Sequence, residues 1–180
     1  MRRRQLTMIT NSLVISLLLL CATSKSFSQK IRSVEKDAFD ESITVCTSPV
    51  LLDKALFHDY NISFLKIIAD DKVTYEVKLY LMGSSIRSIL SGYFFKIKLE
   101  NGVILELESK YDKSPHFYSG GYHTIEAKYV IQESQLEEIR NSKIEVCRVE
   151  MIDGYIQIEA KKNSKKKTDN TIDLIIDYEF

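Results

Sequence analysis

The chain has 180 residues, with 25 basic and 25 acidic side chains, so its formal net charge is zero. This length predicts one domain of ordinary size that can bury a core of its own. Removal of the basic leader described below leaves a mildly acidic chain, which argues against nucleic acid as a general electrostatic partner.

The first 28 residues have the three-part pattern of a secretory signal peptide. Arg2–Arg4 form a basic head, Leu13–Ala22 is almost wholly apolar, and Ser26 and Ser28 supply small residues before a cut. The apolar run is shorter than the ~20 residues of a membrane-spanning helix. Cleavage after Ser28 removes four basic residues and no acidic one, leaving 21 basic and 25 acidic residues and a net charge of −4. We therefore expect an exported protein, either periplasmic or secreted.

Cys21 leaves open a second route to the envelope, by lipidation. A lipidated bacterial protein needs a small residue just before the modified cysteine, and here Leu20 precedes it. Plain cleavage is therefore the preferred interpretation, and lipidation at Cys21 is the alternative.

Two cysteines, Cys46 and Cys147, remain after cleavage, and both lie in strand-like runs. An even number in an oxidising compartment suggests a disulfide. A free cysteine, however, also packs as a small apolar residue. The sequence leaves both interpretations open: a bridge between the two residues, or two separate buried thiols.

Alternation of apolar and polar residues predicts antiparallel strands through most of residues 29–160. In Thr74–Met82, for example, Tyr75, Val77, Leu79 and Leu81 face one way and the charged residues face the other. Tight turns are predicted at three dipeptides between such runs: Asp70-Asp71, Asn101-Gly102 and Asp153-Gly154. An Asn-Gly or Asp-Gly pair favours a hairpin in which both turn residues take positive φ.

One segment breaks this alternation and predicts a short helix at residues 133–141. Ser134 can cap the helix and Glu137 can reach back to it, which is a capping box. Leu136 and Ile139 are three apart and share the face that would pack on the sheet.

The last twenty residues predict two further pieces. Residues 161–170, KKNSKKKTDN, are basic and without apolar side chains, which is typical of a solvated linker. Residues 171–180, TIDLIIDYEF, alternate strictly and predict a final strand of the same domain. The whole pattern predicts a mainly β fold: an antiparallel β-sandwich-like domain of about 7–9 strands with one short helix.

Three ordered segments, SGYFFKIKLENGVILELES, AKYVIQESQLEEIRNSKI and CRVEMIDGYIQIE, resemble a group of short exported proteins of the Bacteroidota. The resemblance covers residues 43–160. It implies a small antiparallel β-sandwich-like domain and carries no activity with it, since the group is largely uncharacterised.

The stretch Tyr111–His123, YDKSPHFYSGGYH, is the candidate ligand-binding loop. Pro115 and the Gly120-Gly121 pair indicate a connection between strands. Its aromatic and histidine side chains would also suit a recognition surface, because they are flat with polar tips. These candidate residues are Tyr111, His116, Phe117, Tyr118, Tyr122 and His123.

The sequence predicts no metal and no cofactor, since its three histidines and its cysteines lack ligand spacing. It also lacks a Gly-x-Ser-x-Gly elbow and a glycine-rich phosphate loop. The leading hypothesis is therefore a non-enzymatic binding or structural domain of the cell envelope, whose partner is an envelope protein or a small ligand or glycan.

Two alternatives remain open. The alternating C-terminus that ends in Phe180 is typical of a small outer-membrane β-barrel. A small envelope hydrolase would have to rely on His58, His116 or His123.

Overall fold

A computed structural model describes residues 29–56 and 58–179, which form eleven strands and two helices. The predicted signal peptide, residues 1–28 with Cys21, lies outside the described residues, as does Phe180. Within the described part of the chain, no helix is both long and apolar enough to cross a membrane.

The strands form two antiparallel sheets, which confirms the mainly β, sandwich-like fold. The large sheet has seven strands: β1 (Ile31–Lys36), β2 (Ile43–Thr47), β3 (Val50–Ala55), β4 (His58–Ala69), β5 (Lys72–Gly83), β8 (His116–Phe117) and β9 (His123–Ile131). The small sheet has four strands: β6 (Phe94–Leu99), β7 (Ile104–Glu108), β10 (Ile144–Met151) and β11 (Gly154–Glu159). The strand count exceeds the predicted 7–9 because short pieces such as β8 carry no alternation of their own.

The hairpin of β4 and β5 is the centre of the large sheet. Each strand has 12 residues, and the two pair along their whole length. β2 pairs with the second half of β4 and β3 with its first half, so these two short strands lie end to end along one side of β4. Pro49 lies between them and cannot donate a ladder hydrogen bond.

The core lies between the sheets, where the inward residues of both are buried. Tyr75, Val77, Leu79 and Leu81 of β5 are buried, as their alternation predicts. The ring of Phe95 from the small sheet lies 5.3 Å from that of Tyr129 in the large sheet, centroid to centroid. Such pairs of aromatic rings stabilise a core beyond the area that they bury.

All three predicted turns join neighbouring strands. The turn at Asn101-Gly102 differs from the prediction in its backbone geometry. Asp70 and Asp71 both take positive φ (49° and 59°), as a tight hairpin turn of this kind requires. At the turn between β6 and β7 only Gly102 does so, with φ of 87°. The side chain of Asn101 instead accepts a hydrogen bond from the amide of Val103 at 3.1 Å. Asn101 therefore acts through its side chain.

The predicted short helix is present as α1 (Glu133–Ser142), with Leu136 and Ile139 buried. Its capping residue differs from the prediction, because the N-cap is Gln132 and not Ser134. The amide of Gln132 donates to Oε1 of Gln135 at 3.0 Å, so a glutamine performs the role expected of Glu137.

The predictions of a basic linker at 161–170 and a last strand at 171–180 are wrong. Residues 162–176 of these segments form one helix, α2 (Lys162–Ile176), whose buried face is made of Ser164, Thr168, Thr171, Ile172 and Ile175. Thr168 donates its hydroxyl to the carbonyl of Ser164 at 2.9 Å, and Thr171 to that of Lys167 at 2.7 Å. Hydroxyl groups satisfied in this way can be buried. The first half of the helix therefore packs through hydroxyl groups and lacks the apolar stripe that would reveal it in the sequence.

The structure also decides between the two interpretations of the cysteines, because both are free and buried. Cys46 lies on β2 of the large sheet and pairs in register with Leu65 of β4. Cys147 lies on β10 of the small sheet and belongs to the core cluster. Neighbouring Val45 is the β2 residue that faces the core, so Cys46 points to the other side of the large sheet. The body of the large sheet therefore separates the two sulfur atoms.

Candidate ligand-binding face

The outward face of the large sheet carries a row of polar side chains across its central strands. In β5 these are Lys78 and Tyr80, which alternate with the buried core residues. Register places Ser63 and Asn61 of β4 directly opposite them. On the other side, Glu126 of β9 lies opposite Tyr80. Residues that are distant in sequence thus become neighbours on one surface.

These side chains form the walls of a shallow cleft of about 260 Å³. The cleft is lined by Arg32, Pro49, Asn61, Ser63, Lys78, Tyr80 and Glu126. This volume lies just below the range of roughly 300–1,000 Å³ that is usual for small-molecule sites. The size therefore suits one small ligand unit.

Arg32 reaches the cleft because β1 contains a β-bulge. Ile31 pairs with Thr47, and Ser33 with Cys46, so Arg32 is the extra residue that has no partner opposite. Bulges of this kind redirect side chains and are frequent beside binding sites. The irregularity coincides with the position at which the edge strand β1 contributes a residue to the cleft.

The charges around the cleft are partly paired. Lys78 Nζ lies 3.5 Å from a carboxylate oxygen of Glu126. Asn61 donates from Nδ2 to Oδ1 of Asp59 at 2.6 Å. Burial raises the pKa of Tyr80, and the nearby Asp59 carboxylate and Tyr118 raise it further. Tyr80 is therefore a neutral phenol that can both donate and accept a hydrogen bond.

Cys46 lies on the same side of the sheet, next to the cleft. Burial raises the pKa of its thiol, and the positive charges of Lys78 and Arg32 only partly oppose this effect. Its Sγ donates weakly to the carbonyl of Thr47 at 3.5 Å. A buried, protonated thiol is a packing group and not a nucleophile.

The predicted recognition loop is a hairpin at the edge of the large sheet, formed by β8, a tight turn and β9. The amide of Tyr118 donates to the carbonyl of Tyr122 at 2.9 Å, and Gly120 and Gly121 both take positive φ (57° and 83°). Phe117 and Tyr118 are 69% and 64% exposed. The second strand of this hairpin, β9, also carries Glu126, which lines the cleft.

The structure brings five of the six predicted loop residues onto this hairpin. His116 is exposed on β8, and the ring of His123 meets that of Phe117 edge-on, at 5.9 Å between centroids. Nδ1 of His123 is buried without a hydrogen-bond partner. Tyr111 is exposed but lies outside the hairpin, in the segment that joins β7 to β8.

His58 is far from this loop in sequence and takes part in a different cluster, between β3, β4 and α2. Its Nε2 lies 2.7 Å from Oδ2 of Asp53, and Lys161 Nζ lies 2.7 Å from Oδ1 of the same carboxylate. Burial would raise the pKa of Asp53, but hydrogen bonds from Lys161 and His58 outweigh burial and lower it. The ring of His58 also stacks on Tyr60. This cluster ties the C-terminal helix to the sheet.

Sequence reasoning named none of the cleft residues as site residues, because they come from four separate strands and the connection at Pro49. The alternation of β5 indicated that Lys78 faces away from the core. It could not indicate which residues of the other strands lie next to Lys78. Within residues 29–56 and 58–179, no group of three or more His, Cys, Asp or Glu side chains is placed to hold a metal ion. No known protein family, curated protein or solved structure matches the chain.

Proposed function

We propose that this chain is an exported, non-enzymatic binding domain of the cell envelope. Its binding site would be the outward face of the large sheet, with the β8–β9 hairpin as one wall. The signal-peptide pattern of residues 1–28 supports export. The ligand would be a small polar molecule such as a glycan unit.

The observation that carries this proposal is the position of an exposed aromatic hairpin beside a polar cleft. Phe117 and Tyr118 expose most of their surface, although burying such rings is ordinarily favourable. Asn61, Ser63 and Tyr80 offer hydrogen-bonding groups within the cleft. Aromatic faces next to a few placed polar groups are the usual composition of a ligand site. Both belong to the same hydrogen-bonded sheet, and loops set on such a scaffold often carry function.

The Asp53–His58 pair supports a structural role and not a catalytic one. A general base needs a free edge toward a substrate. Here one carboxylate oxygen accepts from His58 and the other from Lys161, while the ring of His58 stacks on Tyr60. The cluster therefore uses its polar groups to hold the chain together.

The proposal can be tested by titrating the protein, expressed from its full-length sequence, with a panel of neutral and acidic sugars and cell-wall fragments. We expect amide NMR shifts to concentrate on β4, β5 and the β8–β9 hairpin. Tyr118→Ala should weaken binding by about tenfold, as loss of an aromatic anchor does. Tyr155→Ala is the matched control, because Tyr155 is 59% exposed on the small sheet. Shifts that map to the small sheet, or equal losses in both variants, would contradict the proposal.

A further inference from the structure

Arg32 is the unmatched charge of the cleft. Lys78 has Glu126 at 3.5 Å, and Asp59 has Lys54 at 3.4 Å. Arg32, by contrast, has no carboxylate within 4.0 Å among residues 29–56 and 58–179. Arg32 is nevertheless one of the residues that line the cleft. A planar guanidinium with open donor positions is well suited to a carboxylate, which it can bind through two parallel hydrogen bonds.

The rest of the cleft limits the charge that such a ligand can carry. Glu126 is an acceptor for hydroxyl groups and repels additional negative charge. Asn61 and Ser63 each offer both a donor and an acceptor. One carboxylate with several hydroxyl groups satisfies this set, whereas a polyanion such as a phosphate would face Glu126.

We propose that the cleft binds a sugar acid, with its carboxylate on Arg32 and its hydroxyl groups on Asn61, Ser63 and Glu126. This inference rests on the proposed binding function and names the ligand class of that same site. The volume of about 260 Å³ suits a single sugar unit. Tyr80 provides the flat surface against which the ring lies, with its phenol available for a hydrogen bond.

The test compares D-glucuronate with D-glucose by calorimetry or NMR titration of the protein expressed from its full-length sequence. The two sugars differ only at C6, which is a carboxylate in glucuronate and a hydroxymethyl group in glucose. We expect glucuronate to bind about tenfold or more tightly, the usual effect of a charge-assisted hydrogen bond, and acetate alone to bind poorly. The preference should weaken as salt rises.

Two variants and a control make the assignment specific. Arg32→Gln should reduce the affinity for glucuronate to the level of glucose. Glu126→Gln should increase the ratio of glucuronate affinity to glucose affinity, because it removes a negative charge near the carboxylate and releases Lys78. It should not tighten glucose binding, because it weakens an acceptor for the hydroxyl groups. Arg87→Gln is the matched control: Arg87 is exposed outside this cleft and donates to the backbone carbonyls of Ser84 and Ile86.

The outcomes separate this inference from the proposed function. Equal binding of the two sugars on this face, or an Arg32→Gln variant that keeps its preference for glucuronate, would overturn the sugar-acid assignment and leave a neutral-ligand site. Absence of glucuronate binding would also overturn it, while the wider panel still tests the binding function. Circular dichroism of each variant shows whether the fold is intact.

Discussion

Lys66, in the middle of β4, donates a hydrogen bond from its Nζ to the backbone carbonyl of Ile176, 3.2 Å away and 110 positions later in the chain. A second bond reaches the carbonyl of Tyr178 at 2.9 Å. The last carbonyls of a helix lack partners within the helix, and the dipole makes this end negative. Lys66 is only 8% exposed. Its charge would be costly to bury without partners, and the carbonyl groups at the C-terminal end of α2 provide them.

Lys66→Met should therefore destabilise the protein although it introduces an apolar side chain of similar length. We expect a loss of about 1 kcal/mol or somewhat more in the free energy of unfolding, because two partly buried carbonyls lose their charged donor. Urea denaturation followed by circular dichroism measures it. Lys72→Met, at an exposed position where β5 begins, is the control and should change stability little. Equal effects of both substitutions would show that the contact with α2 contributes nothing.

Ser164 is predicted to attach the other end of α2 to the sheet. Its hydroxyl donates to the carbonyls of Leu51 and Leu52 in β3, the latter at 3.2 Å. Ser164→Ala should lower the free energy of unfolding by about 1 kcal/mol or somewhat more, since the carbonyls remain buried without this donor. Ser85→Ala removes an exposed hydroxyl and serves as the comparison. If the two variants unfold at the same urea concentration, the attachment is not stabilising.

The Asp53 cluster predicts a specific acid dependence of stability. The pKa of Asp53 is lowered in the folded protein, so the unfolded chain takes up a proton first as pH falls. Its stabilising contribution is present above the unfolded pKa, near 3.8, and is lost as pH falls through the folded value. Asp53→Asn should therefore cost stability at pH 7 and flatten the acid limb of the stability curve.

The size of this effect is limited because the Asp53 side chain is 26% exposed and solvent screens its partners. We expect about 1 kcal/mol at pH 7. Asp71→Asn is the matched control, at a turn residue with positive φ that asparagine also accepts. Urea denaturation at several pH values between 3 and 7 would reveal the difference. If the free energy of unfolding falls equally steeply with decreasing pH in Asp53→Asn and in the wild type, ionised Asp53 does not stabilise the fold.

The two cysteines should behave as buried thiols in the folded protein. We expect a thiol reagent to label neither Cys46 nor Cys147 at pH 8, and to label both after addition of guanidinium, because both are free and buried. Burial raises the pKa of Cys147 to about 12 from its ordinary 9.0. Mass spectrometry counts the labelled sites, and a mass that indicates a bridge would contradict the structure.

The raised pKa of Cys147 predicts that the free energy of unfolding decreases at high pH. Above about pH 9 the unfolded chain loses the thiol proton before the folded one does, so the unfolded state binds fewer protons and stability falls as pH rises. The loss should continue until about pH 12, where the folded thiol also ionises. A Cys147→Ala variant should show a shallower fall over this range, although it is less stable at pH 7 because of the cavity.

Much of the fold follows from local features of the sequence. The alternation in β5 and the turn at Asp70-Asp71 need only neighbouring residues to be recognised, and the structure confirms both. The helix α1 was also predictable, since Leu136 and Ile139 form a short apolar face at helical spacing. Its cap was misassigned because Ser134 and Gln132 are both polar, and only the backbone conformation decides which of them precedes the helix.

Helix α2 shows where local features are insufficient. Ile172, Ile176 and Tyr178 also fit strict alternation, so the sequence favoured a strand. The helical face contains Ser164 and Thr168, whose burial is acceptable only because carbonyls of β3 and of the helix itself accept their hydrogen bonds. Those acceptors exist only in the folded structure.

The candidate site divides in the same way. Sequence alone indicated an aromatic, glycine-containing connection between strands around Phe117 and Tyr118, because turn chemistry is local. The structure shows that this connection is the β8–β9 hairpin. Only the tertiary structure decided that Arg32, Asn61 and Glu126 share a cleft beside it, since strand order, register and a bulge in β1 bring them together. These are long-range pairings whose choice depends on the burial of the opposite face of the sheet. A change of register by one residue would turn the same side chains toward the core.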